Sequence, residues 1–138
     1  MYTLKILLSC LHFVFHLFLR EFTMADCLFC KIAAGDIPVE RVYEDDDVLA
    51  FPDIHPIAPV HLLIIPKRHY ATTIDLAEEA PELCAAMIKA STEVARKKKI
   101  DKSGFRLILN TNAHGGQEIF HVHMHLLGGE PIGKMRAR

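Results

Sequence analysis

The sequence has little net charge, few cysteines, no internal repeat and no low-complexity tract, and each shortage removes a class of protein. Sixteen Lys and Arg against seventeen Asp and Glu leave a formal net charge of -1. No broad field therefore draws the chain to nucleic acid or to an anionic membrane, and any anion site must be local. Cys10, Cys27, Cys30 and Cys84 are the only four cysteines in 138 residues, too sparse for a disulfide-stapled miniprotein. A reducing compartment, the cytoplasm, is the default expectation. A hydrophobic share of 51% with 24% charged residues excludes disorder for most of the chain, and the length suits one domain with a proper core.

The one composition shift falls near Met24. Leu4 to Leu19 is strongly apolar, with Lys5 near its start and Arg20 after it, and resembles the hydrophobic region of a signal peptide or a short anchor. His12 and His16 interrupt it, it falls short of the roughly 20 residues that span a bilayer, and no small-x-small cleavage site follows. A translation start at Met24 would make the upstream stretch a mis-called extension. Residues 1–23 are therefore set apart as an apolar extension, 24–138 are taken as the domain, and membrane association is not expected.

Leu28 to Ala34 reads as a short helix stopped by Gly35. Val42 to Glu44 and Val48 to Phe51 flank the acidic turn Asp45-Asp46-Asp47 as a hairpin. Pro52 to Pro59 cannot be regular, because Pro56 and Pro59 lack donors, and it feeds a buried strand from His61 to Ile65, ended by Pro66. From Pro81 to Lys98, Leu83, Met87, Ala90 and Val94 recur at helical spacing, and Lys97, Lys98 and Lys99 crowd the end where cations favour the helix dipole. Phe105 to Leu109 is a strand, Thr111 to Gln117 a loop, and Ile119 to Leu127 a final strand. Strand groups separated by one long helix, with one short helix before them, predict an α+β fold on an antiparallel sheet of about five strands.

In the final strand, alternation puts His121, His123 and His125 on one face and Phe120, Val122, Met124 and Leu126 on the other. Three imidazoles in a row are costly as plain structure, since each buried ring nitrogen needs a partner, so catalysis or metal binding is the better reading. Gly115 and Gly116 in the preceding loop let backbone amides approach an anion, and Asn110 and Gln117 could add neutral amide donors to phosphate oxygens. Read alone, the glycine pair is more simply a tight turn.

The stretch Gly116-Gln-Glu-Ile-Phe-His121-Val-His123-Met-His125-Leu-Leu-Gly128-Gly129 resembles the His-x-His-x-His signature of the histidine triad (HIT) superfamily, and its closing Gly-Gly resembles the Hint branch. Phe29-Cys-Lys-Ile32, Phe51-Pro-Asp53-Ile54, Ala58-Pro-Val-His61, Ile65-Pro-Lys67 and Gly104 to Asn110 fall in the family's order, so the likeness runs from about residue 27 to 133. It implies hydrolysis of purine nucleoside 5'-phosphoramidates through a covalent nucleotidyl-His123, with no cofactor required. His61 and His121 would orient and polarise His123. His125, Asn110 and backbone near Gly116 would hold phosphate oxygens, and Asp53 would accept the ribose hydroxyls. Phe29, Ile32, Phe51 and Ile54 would form the slot for the base, although from the residues alone core packing is the stronger reading of each. Glu118 replaces a serine of the animal members, and a carboxylate there repels phosphate unless turned away or protonated. The resemblance also implies a homodimer joined through the long helix and a sheet edge, as a sheet with a free edge would favour.

Cys27-x-x-Cys30 has the spacing of a zinc half-site. In similar triad proteins, a histidine after the Pro-Lys pair and the first triad histidine complete it, which here gives His69 and His121 as further ligands of a structural zinc. Small core thiols are the plainer alternative. Other readings are a dinucleotide polyphosphate hydrolase or nucleotidyl transferase of the same superfamily, a non-catalytic nucleotide-binding regulator, and a three-histidine zinc enzyme. The last is disfavoured, because same-face strand positions lie about 7 Å apart.

Overall fold

Two stretches of nearly unbroken apolar sequence form the centre of the fold. Strands β2 (Val48–Pro52) and β3 (Val60–Pro66) bury almost every side chain, which a strand does only where both faces of its sheet are covered. Alternation divides them: Val48, Ala50, Leu62 and Ile64 join one apolar cluster, and Leu49, Phe51, Leu63 and Ile65 the other. The computed structural model describes residues 26–135; the extension 1–23, Cys10, Arg136 and Arg138 lie outside them. With β1 (Tyr43–Glu44), β4 (Phe105–Leu109) and β5 (Met124–Gly128), the strands form one antiparallel sheet in the order β1-β2-β3-β5-β4. The class is the expected α+β.

Each face has its own cover. Helix α1 (Leu28–Ala34) lays Phe29 and Ile32 on the second cluster. Its N-terminus is capped by Cys27 Sγ, which accepts the Cys30 amide at 3.4 Å, and it ends at Gly35 with φ 88°, a left-handed turn that glycine adopts without strain. Helix α2 (Thr73–Glu79) and the long helix α3 (Pro81–Lys97) cover the first cluster. In α3 the expected Leu83, Met87, Ala90 and Val94 are all buried, Pro81 takes a first-turn position where no amide is needed, and Arg96 and Lys97 close the last turn.

Three elements differ from the sequence reading. Helix α2 is not predicted by periodicity; it is short and buries only Leu76, and its one local signal is the capping box between Thr72 and Asp75. The Thr111–Gln117 loop contains one helical turn, α4 (Asn112–Gly115). The final strand begins at Met124 rather than Ile119. Its partner β3 runs out at Pro66, which has no amide to extend the ladder, and beyond the Ile64–Met124 pair the Val122 amide donates instead to Tyr70 O at 2.7 Å. Val122, Met124 and Leu126 keep their places in the core, whereas Phe120, outside the strand, is half exposed.

Candidate active site

The alternation that builds the second cluster also sets the histidines. His61 on β3 and His125 on β5 share the face of Leu63, since Leu63 pairs with His125 and His61 with Leu127. A cavity of about 620 Å³ opens there. Of the residues singled out in the sequence, Phe29, Ile32, Phe51, Asp53, Ile54, His61, Asn110, Gly116, His123 and His125 line it, while His121 and Gln117 do not. Phe29, Ile32 and Phe51 are core residues and cavity wall at once, whereas Ile54 is 85% exposed at the mouth. Ile37, Val39, Leu63, Ile108 and Ile119 are further apolar lining that sequence reasoning missed. Only the expected strands hinted at them, since Leu63, Ile108 and Ile119 fall within the stretches read as strands.

His123 is pinned by the main chain. Its Nδ1 lies 2.7 Å from the carbonyl of His121, and a carbonyl can only accept, so Nδ1 carries the proton and Nε2 keeps a lone pair. Phe29 and His125 stand edge-on to the ring, with centroids 5.2 Å away in each case. The ring is nearly buried, so the lone pair meets little water. His61 and His121 were expected to orient and polarise His123, and the contacts are different. His121 acts through its backbone oxygen, not its ring. His61 reaches His125, not His123, because the pairing of β3 with β5 brings those two together.

A proton relay geometry follows from that contact. His61 Nδ1 accepts the Ile57 amide at 3.2 Å, so its Nε2 bears the proton and donates to His125 Nδ1 at 2.9 Å, leaving the remaining proton of His125 on Nε2. Asp53 Oδ2 sits 3.3 Å from His61 Nε2, and its Oδ1 accepts the His55 amide at 2.8 Å. Burial pushes His61 below the ordinary histidine range, against the pull of Asp53. Burial, then the positive charge His123 and His61 would bear, push His125 down to about 4. Both rings are thus neutral near pH 7.

Behind His123 the first triad histidine enters a second cluster. His121 is fully buried, its Nε2 donates to Pro66 O at 2.8 Å, and its Nδ1 lies 3.4 Å from Cys27 Sγ and 3.5 Å from Cys30 Sγ. His69 Nδ1 is 3.3 Å from Cys30 Sγ, and the four ligand atoms all lie within 4.8 Å of one another. A tetrahedral zinc with ordinary bond lengths would separate sulfur from nitrogen by about 3.6 Å, so the four donors fit that ion. Burial opposes ionisation at both thiols. Contacts with His121, His69 and the Cys30 amide overcome it at Cys27, which falls to about 5, while burial and the Cys27 sulfur push Cys30 up to about 12. With its Nε2 proton donated to Pro66, His121 turns the Nδ1 lone pair toward the two sulfurs, where it can accept the Cys30 S–H or join the sulfurs on a cation.

Gln117 was expected to hold phosphate, and its side chain points the other way. It is 7% exposed; its Oε1 accepts the Asn112 amide at 2.9 Å, and its Nε2 donates to Ala71 O at 2.6 Å and Ile119 O at 3.1 Å. A buried amide takes whatever backbone partners surround it, and here those partners fasten the loop that carries Gly116 and Glu118. The closing glycines have a packing reason: a Cβ on Gly128 would meet Ile100 Cδ1 at 2.6 Å, and Gly129 has φ 90°.

Comparison with known proteins identifies the family. The HIT domain family model matches residues 34–132. The chain is 47% identical over 112 residues to the purine nucleoside phosphoramidase of Escherichia coli K12, covering 81% of this chain and 94% of that one. Among solved structures, it resembles a HIT family hydrolase from Legionella pneumophila (48% identity, TM-score 0.75, 78% of this chain and 96% of the other) and a histidine triad protein from Clostridium difficile (43%, TM-score 0.78, 80% and 96%). With the three histidines in their order, the Gly-Gly at the end of β5 and the family match across most of the described residues, the chain belongs to the histidine triad family.

Proposed function

We propose that the chain is a hydrolase that cleaves the P–N bond of purine nucleoside 5'-phosphoramidates, with His123 as nucleophile. The observation that supports this best is the fixed His123 ring, whose Nδ1 proton is held by the His121 carbonyl at 2.7 Å so that Nε2 is free at a cavity large enough for a nucleotide. The Nε2 lone pair forms a bond to the α-phosphorus as the P–N bond to the amine breaks, and the amine leaves with the bonding pair. Water then adds to phosphorus and displaces His123. Overall, the hydroxyl of the water ends on phosphorus and its proton on the amine. His125, Asn110 and the backbone at Gly116 hold phosphate oxygens, Asp53 accepts the ribose hydroxyls, and Phe29, Ile32, Phe51 and Ile54 flank the base.

The test is hydrolysis of adenosine 5'-phosphoramidate by the wild type and by His123→Ala, with and without chelator. Loss of at least about 10⁴-fold in kcat in the variant, with wild-type turnover surviving brief chelation, is the expected result. A folded wild type that binds AMP without turning over the phosphoramidate would establish a non-catalytic binding module instead.

Three properties accompany this reading. Cys27, Cys30, His69 and His121 hold a structural zinc, remote from the reacting atoms, whose work is to fix His121 and hence the carbonyl that orients His123. Two copies join through α3 and the unpaired edge of β4, where Ile74, Ile88 and Leu109 are exposed beside a depression of about 540 Å³; a monomer at micromolar concentration in light scattering would refute this. The domain works in the cytoplasm, where Cys27, Cys30 and Cys84, none of them in a disulfide, stay reduced. Among the described residues, no helix is long and apolar enough to cross a membrane.

A further inference from the structure

Building on the phosphoramidase reading, we propose that Glu118 makes this enzyme select substrates whose leaving amine carries a further positive charge, and reject leaving groups that are anionic.

The formally charged side chains along the cavity are two carboxylates, Asp53 and Glu118; no lysine or arginine of the described residues lines it. A phosphate in this cavity is therefore met by backbone amides, Asn110 and imidazoles, two of which burial holds toward their neutral form. Nothing there neutralises additional negative charge. The two carboxylates differ in their freedom. Asp53 is occupied by the His55 amide and lies against His61, whereas none of the hydrogen bonds or ion pairs among the described residues uses Glu118, which is exposed. Glu118 stands two residues after Gly116 and five before His123, on the loop at the phosphate end, while Asp53 and Ile54 enter the cavity from the loop after β2.

The backbone that carries this free carboxylate is also held in place. The neighbouring Gln117 is buried and fastened by three hydrogen bonds, one of them to the Ile119 carbonyl on the far side of Glu118, so the backbone beneath Glu118 is fixed before substrate arrives. A negative charge carried on this loop attracts an ammonium on the departing group and repels a carboxylate or a further phosphate. The two effects act in opposite directions on the two substrates, so their ratio reports both. At a solvent-facing position, the combined preference is about tenfold at low ionic strength and shrinks as salt screens it.

The test uses the full chain and three adenosine 5'-phosphoramidates whose amines share one short alkyl spacer, ending in an ammonium, a methyl or a carboxylate group. In the wild type, kcat/KM is expected to fall in that order, with about tenfold between the ends and compression in 0.5 M salt. The ratio of the charged pair should drop to within about twofold of unity in Glu118→Gln and reverse in Glu118→Lys. Glu82→Gln, an equal charge change on α3, should leave the ratio as it is. A wild type indifferent to the terminal charge, or a preference that persists in Glu118→Gln, overturns the proposal even though all three substrates are hydrolysed. A wild-type preference that salt leaves unchanged overturns it too, without any variant. Failure to hydrolyse even the methyl-terminated substrate would instead remove the phosphoramidase reading, and the proposal with it.

Discussion

His121 and His125 are four residues apart, yet they belong to two clusters that the main chain prepares for opposite uses. Each cluster brings its ligand atoms within 4.8 Å of one another: Cys27, Cys30, His69 and His121 in one, Asp53, His61 and His125 in the other. By proximity alone, both could hold a metal. The difference lies in what the remaining ring nitrogen meets. His121 Nε2 faces a carbonyl, that of Pro66, so its lone pair is on Nδ1 and joins two sulfurs and the Nδ1 of His69. His61 Nδ1 faces an amide, that of Ile57, so its Nε2 carries a proton already given to His125. The first cluster turns ring lone pairs toward two thiols, while the second alternates donor and acceptor and satisfies itself. On the zinc proposal, a single backbone group behind each ring, more than the identity of the ligands, separates the metal cradle from the hydrogen-bond chain.

The comparison breaks most visibly if the first cluster does not hold metal. Stripping zinc with a strong chelator, or replacing Cys30 by Ser, should lower stability by about 4 kcal/mol at zinc levels near a thousand times Kd, seen as a fall of roughly 15 °C in Tm. Unchanged melting together with no zinc by elemental analysis would place both clusters in the same class.

The second cluster is tested by acid. His125 titrates near 4 when folded and near 6.5 when unfolded, so the unfolded chain takes up the proton first. Stability is full above about pH 6.5, falls as pH drops from there to about 4, and levels off below. At about 1.4 kcal/mol for each pH unit between the two values, the loss is at most about 3 kcal/mol, and with its side chain 20% exposed about 2 kcal/mol is expected. Urea melts of wild type and His125→Gln at pH 7 and pH 4.5 measure this directly. Acid release of any bound zinc would affect both proteins alike, so the difference between them carries the result, and equal acid sensitivity would deny His125 its buried, neutral state.

Much of this arrangement is legible in the sequence, in proportion to how local its cause is. The two-sided burial of β2 and β3 and the helical spacing of α3 follow from apolar periodicity alone. Three histidines beside glycines point to the site, and Cys27, Cys30, His69 and His121 do converge. Partnerships that depend on strand register are hidden: that His61 meets His125 follows from pairing Leu63 with His125, which no local pattern specifies. Gln117 misleads for a related reason, since an amide looks the same whether it faces a phosphate or three backbone groups. The start of β5 is misplaced in the sequence reading because it is decided 58 residues earlier, at Pro66. Helix α2 buries one residue and so leaves almost no periodic trace.

The smallest effect is also the sharpest test of why the clusters differ. If the Ile57 amide alone keeps the second cluster from accepting a metal, removing that amide should make the cluster a better one. Ile57→Pro deletes the donor at an exposed position, 74% accessible. His61 Nδ1 could then take the proton and turn a lone pair at Nε2 toward Asp53 and His125. One neutral hydrogen bond contributes about 1 kcal/mol, so the affinity of zinc-loaded protein for a second ion such as Co²⁺ should rise only about fivefold, measured by calorimetry or by the visible absorption of bound cobalt. The same change should leave the Cys27 cluster untouched, since no contact joins it to Ile57 among the described residues. A wild type that already binds the second ion as tightly as the variant would mean that the proton between His61 and His125 is displaced without cost, and the backbone amide would lose the role assigned to it.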